Sequence, residues 1–214
     1  MHAHLPAMIT VVDYDAGNVG SVVNICRKAG GEVQVSSDPE VIAGATRLIL
    51  PGVGHFGSAM ERLRSRGIGA ALDEAVQVRK VPILGICLGM QLFAQHSEEG
   101  DAAGLGWIAA RSVHFKAEPG SSLKIPHMGW NTAEPTRSDP LIDGLPADPR
   151  FYFVHSYYVT CDHDEDVLMR TTHGVRFVSA VHRGNIWGTQ FHPEKSHKFG
   201  LGIIRNFIER VPPC

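Results

Sequence analysis

The chain has 214 residues, of which 43% are hydrophobic and 20% charged, and its formal net charge is −2. A chain of this length can bury a large core without disulfides, and its interspersed charges offer neither a nucleic-acid surface nor a membrane-binding face. No apolar run reaches transmembrane length. Four scattered cysteines without C-x-x-C spacing argue against a disulfide framework, so we predict a reducing, cytoplasmic location.

The first hundred residues alternate short apolar strands with amphipathic helices, after an N-terminal extension (residues 1–7) that we expect to be disordered. The predicted strands are Met8–Tyr14, Glu32–Val35, Leu48–Leu50 and Val81–Ile86. Two predicted helices begin after the caps Asn18 and Asp38. The other three predicted helices cover Ser58–Arg66, Ile68–Arg79 and Leu88–Gln95. The alternation predicts an α/β fold with an open, mostly parallel sheet flanked by helices.

After Gly100 the pattern changes to short strands separated by turns. These strands predict an additional, smaller mixed or antiparallel sheet on the same core. They are Trp107–Phe115, Leu123–Ile125, Phe151–Val159, Val167–Thr171, Phe177–His182 and Ile186–Phe191. Glu134–Arg150 is predicted to be a surface loop, and Ser196 to cap a last helix. Because no linker or repeat divides the chain, we interpret residues 1–214 as a single domain.

Cys87 lies where the strand ending at Ile86 turns directly into a helix, within the sequence Gly85-Ile86-Cys87-Leu88-Gly89. Small neighbours permit a strained elbow there, which we expect to leave the thiol exposed. The N-terminus of the following helix favours a thiolate at this position. These features predict a nucleophile, although a buried core cysteine beside two packing glycines is the alternative.

A second cluster, Gln190-Phe191-His192-Pro193-Glu194, ends the last predicted strand. A cysteine nucleophile needs an imidazole to exchange its proton and an acceptor to orient that imidazole. Cys87, His192 and Glu194 supply these three roles. Taken alone, His192 and Glu194 would be a surface pair, and the H-x-E-x-x-H spacing with His197 gives only a weak metal pattern, so we predict no metal.

Backbone donors for an oxyanion are predicted at Val53, in the loop Pro51-Gly52-Val53-Gly54, and at Leu88, directly after the nucleophile. The loop follows a strand, so its residues should share one crevice with Cys87 at the carboxyl edge of the sheet. A tight strand-to-helix turn without catalytic meaning is the alternative for this loop.

These motifs together resemble the class I (triad) glutamine amidotransferases, and most closely the glutaminase subunits of imidazole glycerol phosphate synthase. The resemblance covers about residues 8–209, with the motifs in the same order. They are D-Y-D-A-G-N (Asp13–Asn18), P-G-V-G-H-F (Pro51–Phe56), G-I-C-L-G-M-Q (Gly85–Gln91), H-M-G-W-N (His127–Asn131), H-S-Y-Y (His155–Tyr158) and Q-F-H-P-E-K-S (Gln190–Ser196). Asp15 departs from the family, which usually has glycine there, and this puts the local turn geometry in doubt.

The resemblance implies a flavodoxin-like fold, hydrolysis of L-glutamine to glutamate and ammonia without a cofactor, and a role in histidine biosynthesis. It also implies delivery of the ammonia to a (β/α)₈-barrel cyclase partner in a heterodimer. The substrate-binding residues that it implies are Gly54, Gln91, His155, Ser156 and Tyr157. The partner-interface positions that it implies are Trp130, Asn131 and Lys195.

Other interpretations remain at this stage. The chain could serve a different synthase, or act as a stand-alone cysteine hydrolase of the α/β-hydrolase type. In that fold the acid normally precedes the histidine, whereas Glu194 follows His192. A non-catalytic binding module is disfavoured because the residues for all three catalytic roles are present.

Overall fold

The structure, a computed structural model, describes residues 8–117 and 123–212. The predicted N-terminal extension, residues 1–7, lies outside the described residues. In the first half the strands are β1 (Met8–Val12), β2 (Glu32–Ser36), β3 (Leu48–Gly52) and β4 (Ile83–Cys87). The helices there are α1 (Val19–Lys28), α2 (Pro39–Ala43), α3 (Phe56–Ser65), α4 (Ile68–Asp73, extended by a π-turn over Glu74–Val78) and α5 (Leu88–Gln91).

The second half consists mainly of strands and closes with one long helix. The strands are β5 (His96–Ser97), β6 (Ala102–Ala103), β7 (Ala110–His114), β8 (His127–Thr132), β9 (Glu134–Pro135), β10 (Arg150–His155), β11 (Tyr157–Cys161), β12 (Val167–His173), β13 (Val175–Arg183) and β14 (Ile186–Thr189). Helix α6 covers His197–Glu209.

The main sheet has the strand order β2-β1-β3-β4-β14-β13-β11-β7-β5-β6, with β12 paired to β13 and β9 paired to β12. Strands β2, β1, β3, β4 and β14 are mutually parallel. Strand β13 is antiparallel to β14 and to β11, and β11 is antiparallel to β7, whereas β7 pairs with β5 in parallel. Strands β8 and β10 form a separate antiparallel pair. The predicted class is therefore confirmed, although most antiparallel strands extend the main sheet instead of forming a second one.

Both faces of β3, β4 and β14 and nearly all of β1 are buried, whereas the edge strand β2 is partly exposed, and the apolar side chains form two clusters. Ile83 and Leu84 are neighbours on β4 and belong to different clusters. This is the arrangement expected when successive side chains point to opposite faces of a sheet covered on both sides. Within the described ranges, no helix combines the length and apolar character needed to cross a membrane.

Two element boundaries near the candidate site differ from the prediction. Strand β3 does not stop before Pro51 but continues to Gly52, which lies opposite Cys87. Pro51 is tolerated because β1 pairs with β3 only as far as Ile49, so no partner strand needs a donor from the proline on that side. Helix α5 ends at Gln91, not at Gln95.

The early end of α5 has a hydrogen-bonding cause. The carbonyl of Leu92 accepts the N–H of Leu105 at 2.8 Å, and the carbonyl of Phe93 accepts the N–H of Trp107 at 2.9 Å. These carbonyls are therefore taken by a returning segment of chain, and the α-helical pattern does not continue. The sequence signal for a longer helix came from apolar side chains that pack in the core.

The predicted strand Phe151–Val159 is two strands, β10 and β11, which separate at Ser156 and join different sheets. Leu123–Ile125 is not a strand, and β8 over His127–Thr132 was not predicted. In β8 the exposed side chains are the hydrophobic Met128 and Trp130 and the buried one is His127, so an apolar alternation with its apolar side buried does not mark this strand. The change of sheet at Ser156 directs the β10–β11 connection towards Cys87.

Candidate active site around Cys87

The junction of β4 and α5 forms the predicted elbow. Cys87 has φ +55° and ψ −108°, a conformation that residues with a side chain rarely adopt. The flanking glycines are required by close packing. A Cβ on Gly89 would lie 1.9 Å from the carbonyl oxygen of Leu50, and one on Gly85 would lie 2.6 Å from the ring of Phe93. The strained cysteine is therefore fixed between two close contacts.

The prediction of an exposed thiol is wrong, because Cys87 is only 6% exposed. The cysteine instead lines a cavity of about 350 Å³. The other residues lining this cavity are Val53, Gly54, Leu88, Gln91, Glu99, Pro126, Val154, His155, Ser156 and Tyr157. All the sequence-predicted oxyanion and substrate positions therefore meet in one pocket.

His192 and Glu194 are held together beside this cavity. The distance from His192 Nδ1 to Glu194 Oε1 is 2.7 Å, and both side chains are 2% exposed. Burial by itself lowers the pKa of His192, but the negative charges of Cys87 and Glu194 outweigh it and raise the pKa to about 10. This environment therefore favours an imidazolium beside Cys87, and the carboxylate of Glu194 fixes the ring orientation.

The backbone of His192 is tied to β10. Its N–H donates to the carbonyl of Tyr152 at 2.9 Å, and the Ser196 hydroxyl donates to the carbonyl of His192 at 2.6 Å. The same hydroxyl accepts the N–H of Tyr152 at 3.0 Å. The prediction that Ser196 caps α6 with its side chain is therefore wrong: Ser196 precedes the helix, but its side chain joins two segments of the site.

Two further site residues were not assigned a role from the sequence. Gln190 is fully buried, and its Nε2 lies 3.6 Å from Cys87 Sγ. Gln190 follows Thr189, which is paired with Ile86 on β4, the residue before Cys87. Its position at the end of a strand next to β4 is the signal that could have indicated its place beside Cys87. Glu99 lines the cavity and accepts the N–H of Phe56 at 2.8 Å, and nothing in the sequence indicated it.

The residues implied as a partner interface lie mostly on one outer surface. Trp130 is 40% exposed and stacks on His197 with ring centroids 5.4 Å apart. The ammonium group of Lys195 lies 5.7 Å from the centre of the Tyr152 ring. Asn131 is partly buried, and its side-chain amide donates to the carbonyl of Thr172 at 2.9 Å. Lys195 follows Glu194 directly, so this surface adjoins the triad.

A metal site receives no support from the geometry. The ring of His197 stacks on Trp130. Across residues 8–117 and 123–212, no group of three or more His, Cys, Asp or Glu side chains could hold a metal ion.

Asp15, the departure from the family pattern, occupies a left-handed backbone conformation with φ +59°. Glycine adopts this conformation without steric cost, whereas aspartate does so less readily. The turn is held by Arg66, which pairs with the Asp15 carboxylate, and by Arg62, which donates to the Asp15 carbonyl. The turn thus keeps a conformation suited to glycine although it carries aspartate.

Comparison with known proteins gives the same family throughout. The sequence model of the protein family "Glutamine amidotransferase class-I" matches residues 10–211 of this chain. A relative from Methanococcus maripaludis, "Imidazole glycerol phosphate synthase subunit HisH 2", is 49% identical over 95% of this chain and 100% of its own length. A relative of the same name from Pseudomonas aeruginosa is 45% identical over 95% and 100%.

Solved structures agree on the fold. A glutamine amidotransferase from Thermotoga maritima superposes with a TM-score of 0.70 at 16% identity, covering 97% of this chain and 99% of that chain. The family model and the two relatives show that the chain belongs to the class I glutamine amidotransferase family, whose members hydrolyse glutamine. Within this family it belongs to the HisH subunits of imidazole glycerol phosphate synthase.

Proposed function

We propose that Cys87, His192 and Glu194 form the catalytic triad with which this chain hydrolyses L-glutamine to glutamate and ammonia. The observation that carries this proposal is the buried His192–Glu194 pair beside a cysteine on a strained elbow, which opens into a cavity of about 350 Å³. The raised pKa of His192, about 10, supports a protonated imidazole beside Cys87 at neutral pH. No cofactor is needed for this chemistry, and the whole chain acts as one domain.

In the first half-reaction the Cys87 thiolate attacks the side-chain amide carbon of glutamine and forms a tetrahedral oxyanion. The backbone N–H groups of Val53 and Leu88 stabilise this oxyanion. His192, as imidazolium, gives its proton to the departing nitrogen, so the C–N bond breaks and ammonia leaves. A thioester on Cys87 remains, and Glu194 holds the imidazole ring in place.

In the second half-reaction neutral His192 takes a proton from water, whose oxygen adds to the thioester carbon. The C–S bond then breaks, glutamate leaves, and the thiolate–imidazolium pair is restored. Gly54, Gln91 and the segment His155–Tyr157 hold the glutamine during both steps. Their shared position on the cavity wall supports this assignment.

We further propose that the chain works as a heterodimer with a (β/α)₈-barrel cyclase, to which it delivers ammonia for histidine biosynthesis. The relatives are named as subunits of imidazole glycerol phosphate synthase, which supports a partner of this kind. The surface of Trp130, Asn131 and Lys195 is proposed as the contact, because Trp130 is 40% exposed and tryptophan is enriched at interface hot spots.

The test combines Cys87→Ala with ammonia rescue in the complex. The variant should lose glutamine-dependent product formation, whereas added ammonium salt should restore it through the cyclase. If ammonium fails to restore synthesis by an intact complex, the proposed division of labour between the subunits is wrong.

A labelling experiment tests the nucleophile itself. A glutamine-mimicking electrophile should modify Cys87 and spare Cys26 and Cys161, because burial raises the pKa of each of those two thiols to about 12. Cys214 lies outside the described residues, and we expect it to remain unlabelled too. Peptide mass spectrometry that finds the label on another cysteine would contradict the triad.

A further inference from the structure

A buried chain of hydrogen bonds starts at the sulfur of Cys87. Gln190 Nε2 lies 3.6 Å from Cys87 Sγ, within reach of a hydrogen bond to sulfur. Gln190 Oε1 accepts from Gln91 Nε2 at 3.0 Å, and Gln91 Nε2 also donates to the carbonyl of Tyr157 at 3.0 Å. Gln190 is completely buried and Gln91 is 4% exposed, so water cannot readily replace these partners.

The direction of this chain is fixed by its last member. The carbonyl oxygen of Tyr157 can only accept hydrogen bonds, so Gln91 must present its NH₂ group to it. The same NH₂ group meets Gln190, which must therefore turn its own oxygen towards Gln91. The amide of Gln190 is left with its NH₂ group towards Cys87. The hydrogen-bond partners therefore place the NH₂ group of Gln190 at the sulfur. This orientation follows from the whole chain of hydrogen bonds and not from assigning the oxygen and nitrogen of either amide by itself.

The Tyr157 carbonyl is held from its other side by a pair of histidines. His155 Nδ1 lies 2.7 Å from this oxygen, so it must carry the proton, and its Nε2 then accepts from His127 Nδ1 at 3.0 Å. Burial lowers the pKa of His155 to about 3 and that of His127 to about 4. Both rings are therefore neutral at pH 7, and their protons stay on these nitrogens.

We propose that Gln190 is a positioning residue for Cys87, donating a hydrogen bond that stabilises the thiolate and fixes the direction of the sulfur. Its orientation is set by the Tyr157 carbonyl, through Gln91. This carbonyl belongs to the segment proposed to hold glutamine, so the orientation of the nucleophile and the shape of the substrate site depend on one anchor. The inference rests on the proposed role of Cys87 as nucleophile.

The alternative is that Gln190 only fills space in the core. The two interpretations differ in their effect on the ionisation of Cys87, because a hydrogen bond to a charged acceptor favours the charged form whereas packing does not. The other titratable groups whose charges interact with Cys87 are His192 and Tyr14, and neither is changed in the variants below.

The test measures the rate at which iodoacetamide alkylates Cys87 in the full chain as a function of pH. Gln190→Met removes the donor and roughly keeps the volume, and Gln190→Glu places a carboxylate towards the sulfur. We expect the alkylation midpoint to move up by about one pH unit, or tenfold in thiolate population, in Gln190→Met, and further in Gln190→Glu. In the complex, kcat for glutamine hydrolysis should fall more than KM rises.

The matched control is Gln34→Met. Gln34 is also a hydrogen-bonded glutamine, whose Nε2 donates to Thr10 Oγ1 at 2.9 Å on the β1–β2 edge of the sheet. This variant should keep the wild-type alkylation profile. If Gln190→Met does not fold, Gln190→Leu takes its place as the variant without a donor, since the carboxylate of Gln190→Glu raises the midpoint by charge repulsion under either interpretation.

Two distinct failures are recognisable. If Cys87 of the unmodified chain is not the cysteine that reacts, the proposed function fails and the inference with it. If Cys87 reacts but the Gln190 variant without a donor matches the profile of Gln34→Met, the triad stands and the role of Gln190 is refuted.

Discussion

Gly89→Ala should damage both the stability and the activity of the protein, because Gly89 lies against the backbone of β3. The added methyl carbon would lie 1.9 Å from the Leu50 carbonyl oxygen and 2.9 Å from the carbonyl carbon. Real contacts of this kind essentially never fall below 3.0 Å, so α5 must move away from β3 by more than about 1 Å. A carbonyl inside a paired strand cannot turn aside as a flexible side chain would.

The expected cost follows from this displacement. Overpacking of a core typically costs about 1–3 kcal/mol, and each kcal/mol lowers the Tm of a chain of this size by about 2–4 °C. The shift would also move Leu88 and Cys87 relative to His192. A displacement of about 1 Å in a catalytic group can reduce the rate by about 10²-fold. We therefore expect a loss of this order in glutamine hydrolysis by folded protein.

The measurements are thermal unfolding of the chain and glutamate release by the complex. Gly20→Ala is the matched control, since Gly20 is exposed on α1 and a Cβ there meets nothing within 4 Å. This control should be as stable as the parent or up to about 1 kcal/mol more stable, with unchanged turnover. Equal Tm and equal turnover for the two alanine variants would refute the argument that close packing at Gly89 positions the elbow.

Three further outcomes are expected. Glu194→Gln should reduce kcat/KM for glutamine by roughly 10²–10⁴-fold with little loss of fold, because it removes the charge that stabilises protonated His192; an unchanged rate would exclude the orienting role. Ser196→Ala should lower the unfolding free energy by about 1–3 kcal/mol, since it leaves the N–H of Tyr152 without its acceptor; denaturant titration measures this. Asp139→Asn should destabilise the protein at neutral pH and match the parent in acid, as unfolding at several pH values will show. Burial by itself would raise the pKa of Asp139, but hydrogen bonds, the largest from the His182 side chain, lower it below its ordinary value. The ionised carboxylate therefore stabilises the folded protein above that ordinary value, and this stabilisation is lost as the pH falls through the lowered pKa.

Much of the site could be predicted because its parts are local in sequence. The elbow needs small residues around Cys87 at fixed offsets, and His192 and Glu194 are two residues apart. Both patterns can therefore be recognised in the amino-acid sequence alone. Strands β3 and β4 were predicted for a similar reason, since strands buried on both faces are continuous apolar runs. The end of β3 is an exception, because whether Pro51 is tolerated depends on which neighbouring strand still pairs there.

Exposure of the thiol could not be predicted, because it depends on segments distant in the chain. The β10–β11 connection at Ser156 lines the same cavity as Cys87, and this connection exists only because β10 and β11 join different sheets. A sequence pattern records whether a residue suits a strand, but not which sheet that strand joins. The same limit explains why β8, with its polar and exposed residues, was missed.

The sequence by itself determined the alternation of strands and helices, the cysteine at an elbow, the histidine–carboxylate pair and the resemblance to the family. Each of these depends on residue types at short, fixed spacings. Only the tertiary structure decided that Gln190 faces Cys87, that Ser196 ties His192 to β10 instead of capping α6, and that the thiol is buried. The physical reason is that buried polar groups must find partners, and those partners come from whichever segments the fold brings together.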